Sequence, residues 1–136
     1  MFSSHRSFFK LAYEETLGDK KYLFTHAGLI LGWYEKYKDI IGDLTVDNLN
    51  NLLTFPRGFA TLNDVPYSRW GSCPYGSIVW NDVDDFYEGV NKNLPWDNQI
   101  FGHTQQEENP IITKEYACLD CRKAFILNED GGFQEA

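Results

Sequence analysis

The stretch that decides the fold is KYLFTHAG, residues 21–28, a short apolar run that ends in a histidine, a small residue and a glycine. A run of this length predicts a buried strand that is followed directly by a tight loop. The segment NQIFGHT, residues 98–104, repeats the pattern, with a glycine directly before its histidine. Glycine lets a backbone turn sharply, so the glycine near each histidine marks the point where the strand ends. The sequence therefore predicts that His26 and His103 both lie at strand ends.

A histidine at the end of a buried strand is suited to bind a metal ion. The strand fixes the imidazole, and the loop leaves one ring nitrogen facing a cavity. On position alone, a hydrogen-bonded structural histidine is the commoner outcome. The pattern therefore leaves both roles open for His26 and His103.

Composition and charge exclude several classes of partner. The 136 residues predict one domain, residues 1–136, and the 43% hydrophobic and 16% aromatic content predicts a packed core. Twenty acidic against twelve basic residues give a net charge of −8, which opposes nucleic acid and acidic lipid. No apolar run approaches the ~20 residues of a membrane helix, and the amino terminus has no signal-peptide pattern. We expect no nucleic-acid or membrane partner and a cytoplasmic location.

The cysteines offer a second candidate site. Three cysteines, an odd number, argue against a disulfide framework and for a reducing compartment. Cys118 and Cys121 have the C-x-x-C spacing of zinc and redox sites, and His26 with His103 would complete four zinc ligands. Alternatively, Cys118 is a small buried residue of a strand. Both interpretations stay open at this point.

The remaining pattern predicts an α+β chain. Thr45 is expected to cap a helix, Gly42 and Pro56 are expected to end helices, and residues 57–75 are expected to form one long loop. The strands predicted over residues 111–113, 116–119 and 124–127 are joined by short turns, which predicts an antiparallel meander. A frayed tail is expected at residues 128–136. Helices are predicted over residues 4–17, 33–41, 46–55 and 84–90, and strands over 21–25, 77–80, 99–101, 111–113, 116–119 and 124–127.

Four segments resemble motifs of one family. FTHAGL, residues 24–29, is similar to the histidine motif of the calcineurin-like metallophosphoesterases and Ser/Thr protein phosphatases, and IFGHT, residues 100–104, resembles their G-H-T motif. GSIVWND, residues 76–82, looks like their W-x-D segment, and YACLD, residues 116–120, like their closing strand. The four follow one another in the family's order.

The resemblance implies a metal-dependent phosphoric monoester hydrolase. In this family two ions of Mn, Fe or Zn lie ~4 Å apart and clamp a phosphate, and the residues matching His26 and His103 bind the same ion. Their side chains should then lie within about 6 Å of each other. The implied substrate is a phosphorylated protein or a small phosphoester. The implied fold is half of a two-sheet sandwich, a mixed or antiparallel sheet with flanking helices.

The sequence also departs from the family. The earlier motifs D-x-H, G-D-x-x-D and G-N-H-D/E, which supply the first metal's ligands, the bridging aspartate and the leaving-group acid, are absent. Gln105 stands where many members have a second histidine, which favours the protein phosphatase branch. We therefore expect the C-terminal half of such a domain, a fragment that is inactive by itself. A missing second sheet leaves an apolar face, which a homodimer would cover.

Other residues have alternative roles. Arg69 is a candidate phosphate contact, because a guanidinium forks onto two phosphate oxygens, although a surface arginine in a loop is the commoner case. Asp82 and Asp120 follow predicted strands, where aspartate usually caps a turn. A non-catalytic binding or assembly module, or a small zinc domain built on Cys118 and Cys121, is the alternative to a phosphoesterase.

Overall fold

The computed structural model describes residues 10–136. The strands are β1 Ala12–Leu17, β2 Lys20–Thr25, β3 Asn98–Phe101, β4 Ile111–Ile112, β5 Tyr116–Cys118, β6 Phe125–Leu127 and β7 Phe133–Glu135. The α-helices are α1 Leu31–Lys36, α2 Lys38–Ile41, α3 Val46–Asn51 and α4 Pro56–Thr61, and short 3₁₀ helices cover Leu52–Thr54, Tyr67–Arg69 and Val83–Asp85.

A mixed five-stranded sheet has the strand order β1-β2-β3-β5-β4. The three central strands β2, β3 and β5 are parallel, and β1 and β4 pair antiparallel at the two edges. A separate hairpin pairs β6 with β7. The predicted α+β class is confirmed, and this arrangement is compatible with one half of a two-sheet sandwich.

The helices cover one face of the sheet. Leu23 of β2 points into the main core, where it joins Leu29, Trp33 and the α3 residue Leu49, all buried. A second buried cluster lies around Phe101 of β3. Because side chains alternate along a strand, Tyr13, which pairs with Phe24, lies on the opposite face, where about half of the Tyr13 side chain is exposed.

The predicted helix over residues 4–17 is wrong where the structure describes it. Ala12–Leu17 is strand β1, which forms a hairpin with β2 through a turn at Gly18, whose φ of +63° suits glycine. Asn50 of α3 anchors the strand, since its side chain accepts from the Ala12 amide at 2.9 Å and donates to the Ala12 carbonyl at 2.9 Å. The start of the predicted helix lies outside the described residues.

The helical region is broken more often than predicted. The helix predicted over residues 33–41 divides into α1 and α2 at Tyr37 and ends before Gly42, as expected. Thr45 caps α3 by accepting a bond from the Asn48 amide at 3.1 Å, which confirms that prediction. Pro56 ends this helical segment but also begins α4, so the predicted long loop is wrong at its start.

The predicted strand over residues 77–80 is a turn. The Trp80 amide donates to the Ser77 carbonyl at 3.0 Å. The Asn81 side chain holds this turn, because it accepts from the Gly76 amide at 3.0 Å and donates to the Gly28 carbonyl at 2.7 Å. The helix predicted at residues 84–90 is reduced to the 3₁₀ helix Val83–Asp85 followed by turns.

The predicted meander is only partly correct. Strands β4 and β5 pair antiparallel as expected, but β6 pairs with β7 rather than with β5. The chain leaves the sheet in a turn where Arg122 has a φ of 62°. The tail predicted to be frayed, residues 128–136, therefore contains a strand. Among residues 10–136, no helix is long and apolar enough to cross a membrane.

Candidate metal centre

His26 and His103 come from the ends of two neighbouring strands. Strands β2 and β3 are parallel and in register, with Phe24 beside Ile100, so their carboxyl ends meet at the same edge. The Gly102 amide donates to the His26 carbonyl at 2.9 Å, which holds the two loops together. Nε2 of His26 and Nδ1 of His103 lie 2.8 Å apart. The predicted proximity of the two histidines is confirmed.

His103 combines an unusual backbone conformation with ring contacts to His26 and Trp80. His103 has a φ of 70°, in the left-handed region that few residues other than glycine occupy. Its ring meets the ring of Trp80 edge to face, with 5.6 Å between centroids. Strained backbone that the surroundings hold in place often marks a functional position.

The surroundings favour the neutral form of His103. Burial lowers the pKa of His103 below its ordinary value, and the positive charge of Arg69 lowers it further, while Asp82 and Asp120 oppose the shift. A histidine binds metal through a bare ring nitrogen, so protons compete with the ion. The depressed pKa favours the form of His103 that can bind a metal.

The short contact between the rings has two chemical interpretations. In the absence of an ion, one nitrogen carries the proton and donates it to the other as a hydrogen bond. Alternatively, two imidazole nitrogens that each lie ~2.1 Å from one ion, at about 90° to each other, are ~3 Å apart. The observed 2.8 Å between Nε2 of His26 and Nδ1 of His103 is close to that separation.

The donor set is incomplete. Within residues 10–136, no group of three or more histidine, cysteine, aspartate or glutamate side chains is placed to hold a metal ion. Asp82 caps its own turn by accepting from the Asp84 amide at 3.0 Å and forms an ion pair with Arg69. The described residues therefore do not fit a two-metal centre, and the metal-binding side chains that they bring into contact at this point are those of His26 and His103.

Arg69 lies beside the histidine pair although it is distant in sequence. Its Nη2 donates to Thr104 Oγ1 at 3.1 Å and lies 3.5 Å from the His103 carbonyl oxygen. Its Nε is 3.2 Å from Asp82 Oδ2, an ion pair that lacks hydrogen-bond alignment. Nη1 makes no hydrogen bond to residues 10–136. Arg69 is thus held at the site by Nη2 and Nε, while Nη1 keeps its N–H donors for another group.

Sequence reasoning gave no role to Thr104 or Trp80. Thr104 Oγ1 accepts from both Arg69 and the Val83 amide, at 3.1 and 3.0 Å, and so joins the histidine loop to the turn at residues 82–85. Both residues stand inside the motifs that resemble the family, Thr104 in IFGHT and Trp80 in GSIVWND. Their position inside these motifs was the only feature of the sequence that could have indicated a role at the site.

An open cleft of about 400 Å³ leads to the histidines. Apolar side chains from the exposed sheet face form most of its wall, and Asp120 adds a carboxylate at the rim. The lining consists of Phe24, Thr25, His26, Ile100, Phe101, Gly102, His103, Leu119 and Asp120. The cleft is shallow, with the polar groups gathered at the strand ends.

The C-x-x-C motif does not build a zinc site in the described residues. Cys118 and Cys121 are buried, and neither belongs to a group of three metal-binding side chains among residues 10–136. The Cys118 thiol lies 3.3 Å from the Thr104 carbonyl oxygen, and burial raises its pKa. A zinc ligand must be a thiolate, so this environment favours a structural cysteine.

Thiol reactivity tests this assignment. In the native protein, Ellman's reagent is expected to modify Cys73 quickly, because it is partly exposed, while the buried Cys118 and Cys121 react slowly. Unfolding in denaturant should make all three react. Cys73→Ser should remove the fast phase and leave the slow one. Fast modification of Cys118 or Cys121 in the folded protein would contradict the burial of these two thiols.

Comparison with known proteins assigns no family to this site. No protein-family model matches the sequence, and no curated protein matches it significantly. The likeness to metallophosphoesterases therefore rests on the four motifs and on the convergence of His26 with His103.

Proposed function

We propose that this chain is part of a metal-dependent phosphoesterase-like domain in which His26 and His103 bind one divalent ion, Mn, Fe or Zn. The observation that carries the proposal is the 2.8 Å between their ring nitrogens, 77 positions apart in sequence. Two parallel strand ends deliver both rings to one point, as a rigid ligand pair requires.

Arg69 supports a phosphate ester as the ligand. Its guanidinium is held beside His103 and keeps Nη1 free of partners among the described residues. A guanidinium edge binds phosphate oxygens in pairs. The substrate class is a phosphorylated protein or a small phosphoester, and the three unpaired cysteines favour a cytoplasmic location.

The proposal assigns binding rather than turnover to these residues. A two-metal phosphoesterase needs a bridging carboxylate and an acid for the leaving group, and residues 10–136 bring no third ligand to the histidines. The remaining groups have to come from residues beyond the described range or from another chain. By itself the 136-residue chain is proposed to be inactive.

A non-catalytic assembly module is the second candidate. It is favoured by the sheet face opposite the helices, where Tyr13 packs beside Phe24 and exposes about half of its surface, as does Ile112 on the far edge strand β4. A second copy that covers this face would give a homodimer. Metal binding distinguishes the two functions, because an assembly module has no need of an ion.

Calorimetric titration with zinc or manganese tests the proposal. The wild-type chain should bind about one ion, and His103→Asn should weaken binding by at least about tenfold because one of two ligands is lost. Asparagine tolerates the left-handed backbone at this position. His26→Ala, at an exposed site, should have the same effect.

The control is Cys73→Ser, which removes a partly exposed thiol that does not line the cleft at the histidines. It should bind the ion as the wild type does. Equal affinity in the wild type and both histidine variants would refute the metal site, and no binding by the wild type would leave the assembly module as the better function.

A further inference from the structure

The loop at residues 65–73 is tightly closed beside the histidine pair. The Tyr67 amide donates to the Cys73 carbonyl at 2.8 Å, and the Cys73 amide donates to the Val65 carbonyl at 3.2 Å. Gly71 approaches the same segment so closely that a Cβ there would overlap the Val65 carbonyl oxygen. The backbone contacts hold the loop in one shape.

Polar side chains of the loop fasten it to its surroundings. Ser68 Oγ donates to Asp85 Oδ2 at 2.6 Å, and Arg69 binds Thr104 and pairs with Asp82. These bonds join the tip of the loop both to the turn at residues 82–85 and to the loop that carries His103. A surface held in this way loses little conformational entropy when it binds a partner.

The aromatic side chains of the same tip face solvent. Trp70 is 99% exposed and Tyr67 is 65% exposed. Trp70 also has a φ of 66°, an unfavourable region for a bulky residue. A strained backbone and a fully hydrated indole at one position oppose stability, and such outliers cluster at functional sites. We name Tyr67, Ser68, Arg69 and Trp70 the aromatic tip.

The shape of the aromatic tip fits a polypeptide. Tyr67 and Trp70 line neither the cleft at the histidines nor any of four further clefts in the described part of the chain. Small ligands need a concave site that covers most of their surface. Protein partners bind flatter surfaces, where tryptophan, tyrosine and arginine supply most of the binding energy.

The charge around the aromatic tip selects a basic partner. The turn that holds Ser68 carries Asp85 and the exposed Asp84, and the whole chain has a net charge of −8. Arg69 pairs with Asp82 of the same turn, which leaves the carboxylates of Asp84 and Asp85 without an ion pair in the described residues. Arginine and lysine bind the faces of exposed tryptophan and tyrosine rings and are attracted by neighbouring carboxylates.

We propose that the aromatic tip is a docking surface for a basic polypeptide segment, whose arginine or lysine side chains stack on Trp70 and Tyr67 beside Asp84 and Asp85. This surface goes beyond the proposed metal site. It requires no ion and no phosphate.

Fluorescence anisotropy with a labelled peptide of alternating arginine and leucine tests the docking surface. The titration is run at low salt with EDTA, so that failure of the metal site does not affect it. The wild-type chain should bind the peptide, and Trp70→Asn should weaken binding about tenfold, since one aromatic anchor is lost. Asparagine relieves the left-handed backbone, which keeps the variant folded. Asp84→Asn should weaken binding by a smaller factor, and more salt should weaken wild-type binding.

Phe59→Ala is the matched control, because Phe59 is another exposed aromatic residue on a different surface. It should bind as the wild type does. A peptide with glutamate in place of each arginine should not bind. Equal binding of the two peptides, no binding of either, or unchanged binding by Trp70→Asn would each overturn the proposal.

Discussion

Replacing Gln99 with leucine is expected to lower the free energy of unfolding by about 3 kcal/mol, because two buried backbone groups lose their partners. Gln99 is fully buried in β3. Its Oε1 accepts from the Leu29 amide at 2.7 Å, and its Nε2 donates to the Leu29 carbonyl at 2.8 Å. Leucine fills a similar volume but offers neither bond.

The position of Leu29 explains the size of the effect. Leu29 is itself fully buried and follows directly on the loop that carries His26, so water cannot replace the lost bonds. The Asn91 side chain, which Gln99 meets at 3.0 Å, would lose a donor as well. The melting temperature should fall by roughly 10 °C.

Urea unfolding followed by circular dichroism measures the change. Gln105→Leu is the control, since it makes the same chemical substitution at an exposed position, and it should shift stability by less than about 0.5 kcal/mol. If Gln99→Leu were as stable as the control, the bonds to Leu29 would contribute nothing, and another contact would have to hold the loop.

The second large effect concerns catalysis. The purified chain with manganese and an aryl phosphate is expected to show no turnover above that of manganese alone. Residues 10–136 bring two histidines together without a third ligand, and loss of a leaving-group acid by itself typically costs about 10²–10⁴ in rate. Release of the aryl alcohol, followed by absorbance, is the measurement.

A His26→Ala variant is assayed alongside the wild type. Both chains should give the same background rate. If the wild type turned over substrate and His26→Ala did not, the missing ligands would have to be supplied within the 136 residues or by a second copy. That result would overturn the proposed inactivity but not the metal site itself.

The sequence determined the parts of the protein that local chemistry controls. The apolar runs before His26 and His103 are strands β2 and β3, because short buried runs bounded by glycine have few alternatives. Thr45 caps α3 because its hydroxyl reaches a free amide one turn along the chain. The α+β class followed from these elements, whereas the proximity of His26 and His103 was implied by the resemblance of their motifs to one family.

Tertiary contacts overrode the local pattern elsewhere. Residues 12–17 form β1 because β2 and the Asn50 side chain satisfy their backbone groups. Strand β2 lies across a turn, and Asn50 is distant in sequence. The turn at residues 77–80 depends on Asn81, which bonds back to Gly28. Strand β6 pairs with β7 rather than with β5. The alternation of apolar and polar residues does not predict which of two nearby strands will be the partner.

The residues of the candidate site likewise fall into those predicted from the sequence and those placed only by tertiary contacts. The sequence alone selected His26 and His103, because each lies in a recognisable strand-end motif. Only the tertiary structure placed Arg69 against Thr104 and Asp82, and only it exposed Trp70. The physical reason is that a strand end fixes a side chain through local backbone geometry, whereas a loop side chain is fixed by the distant groups with which it bonds.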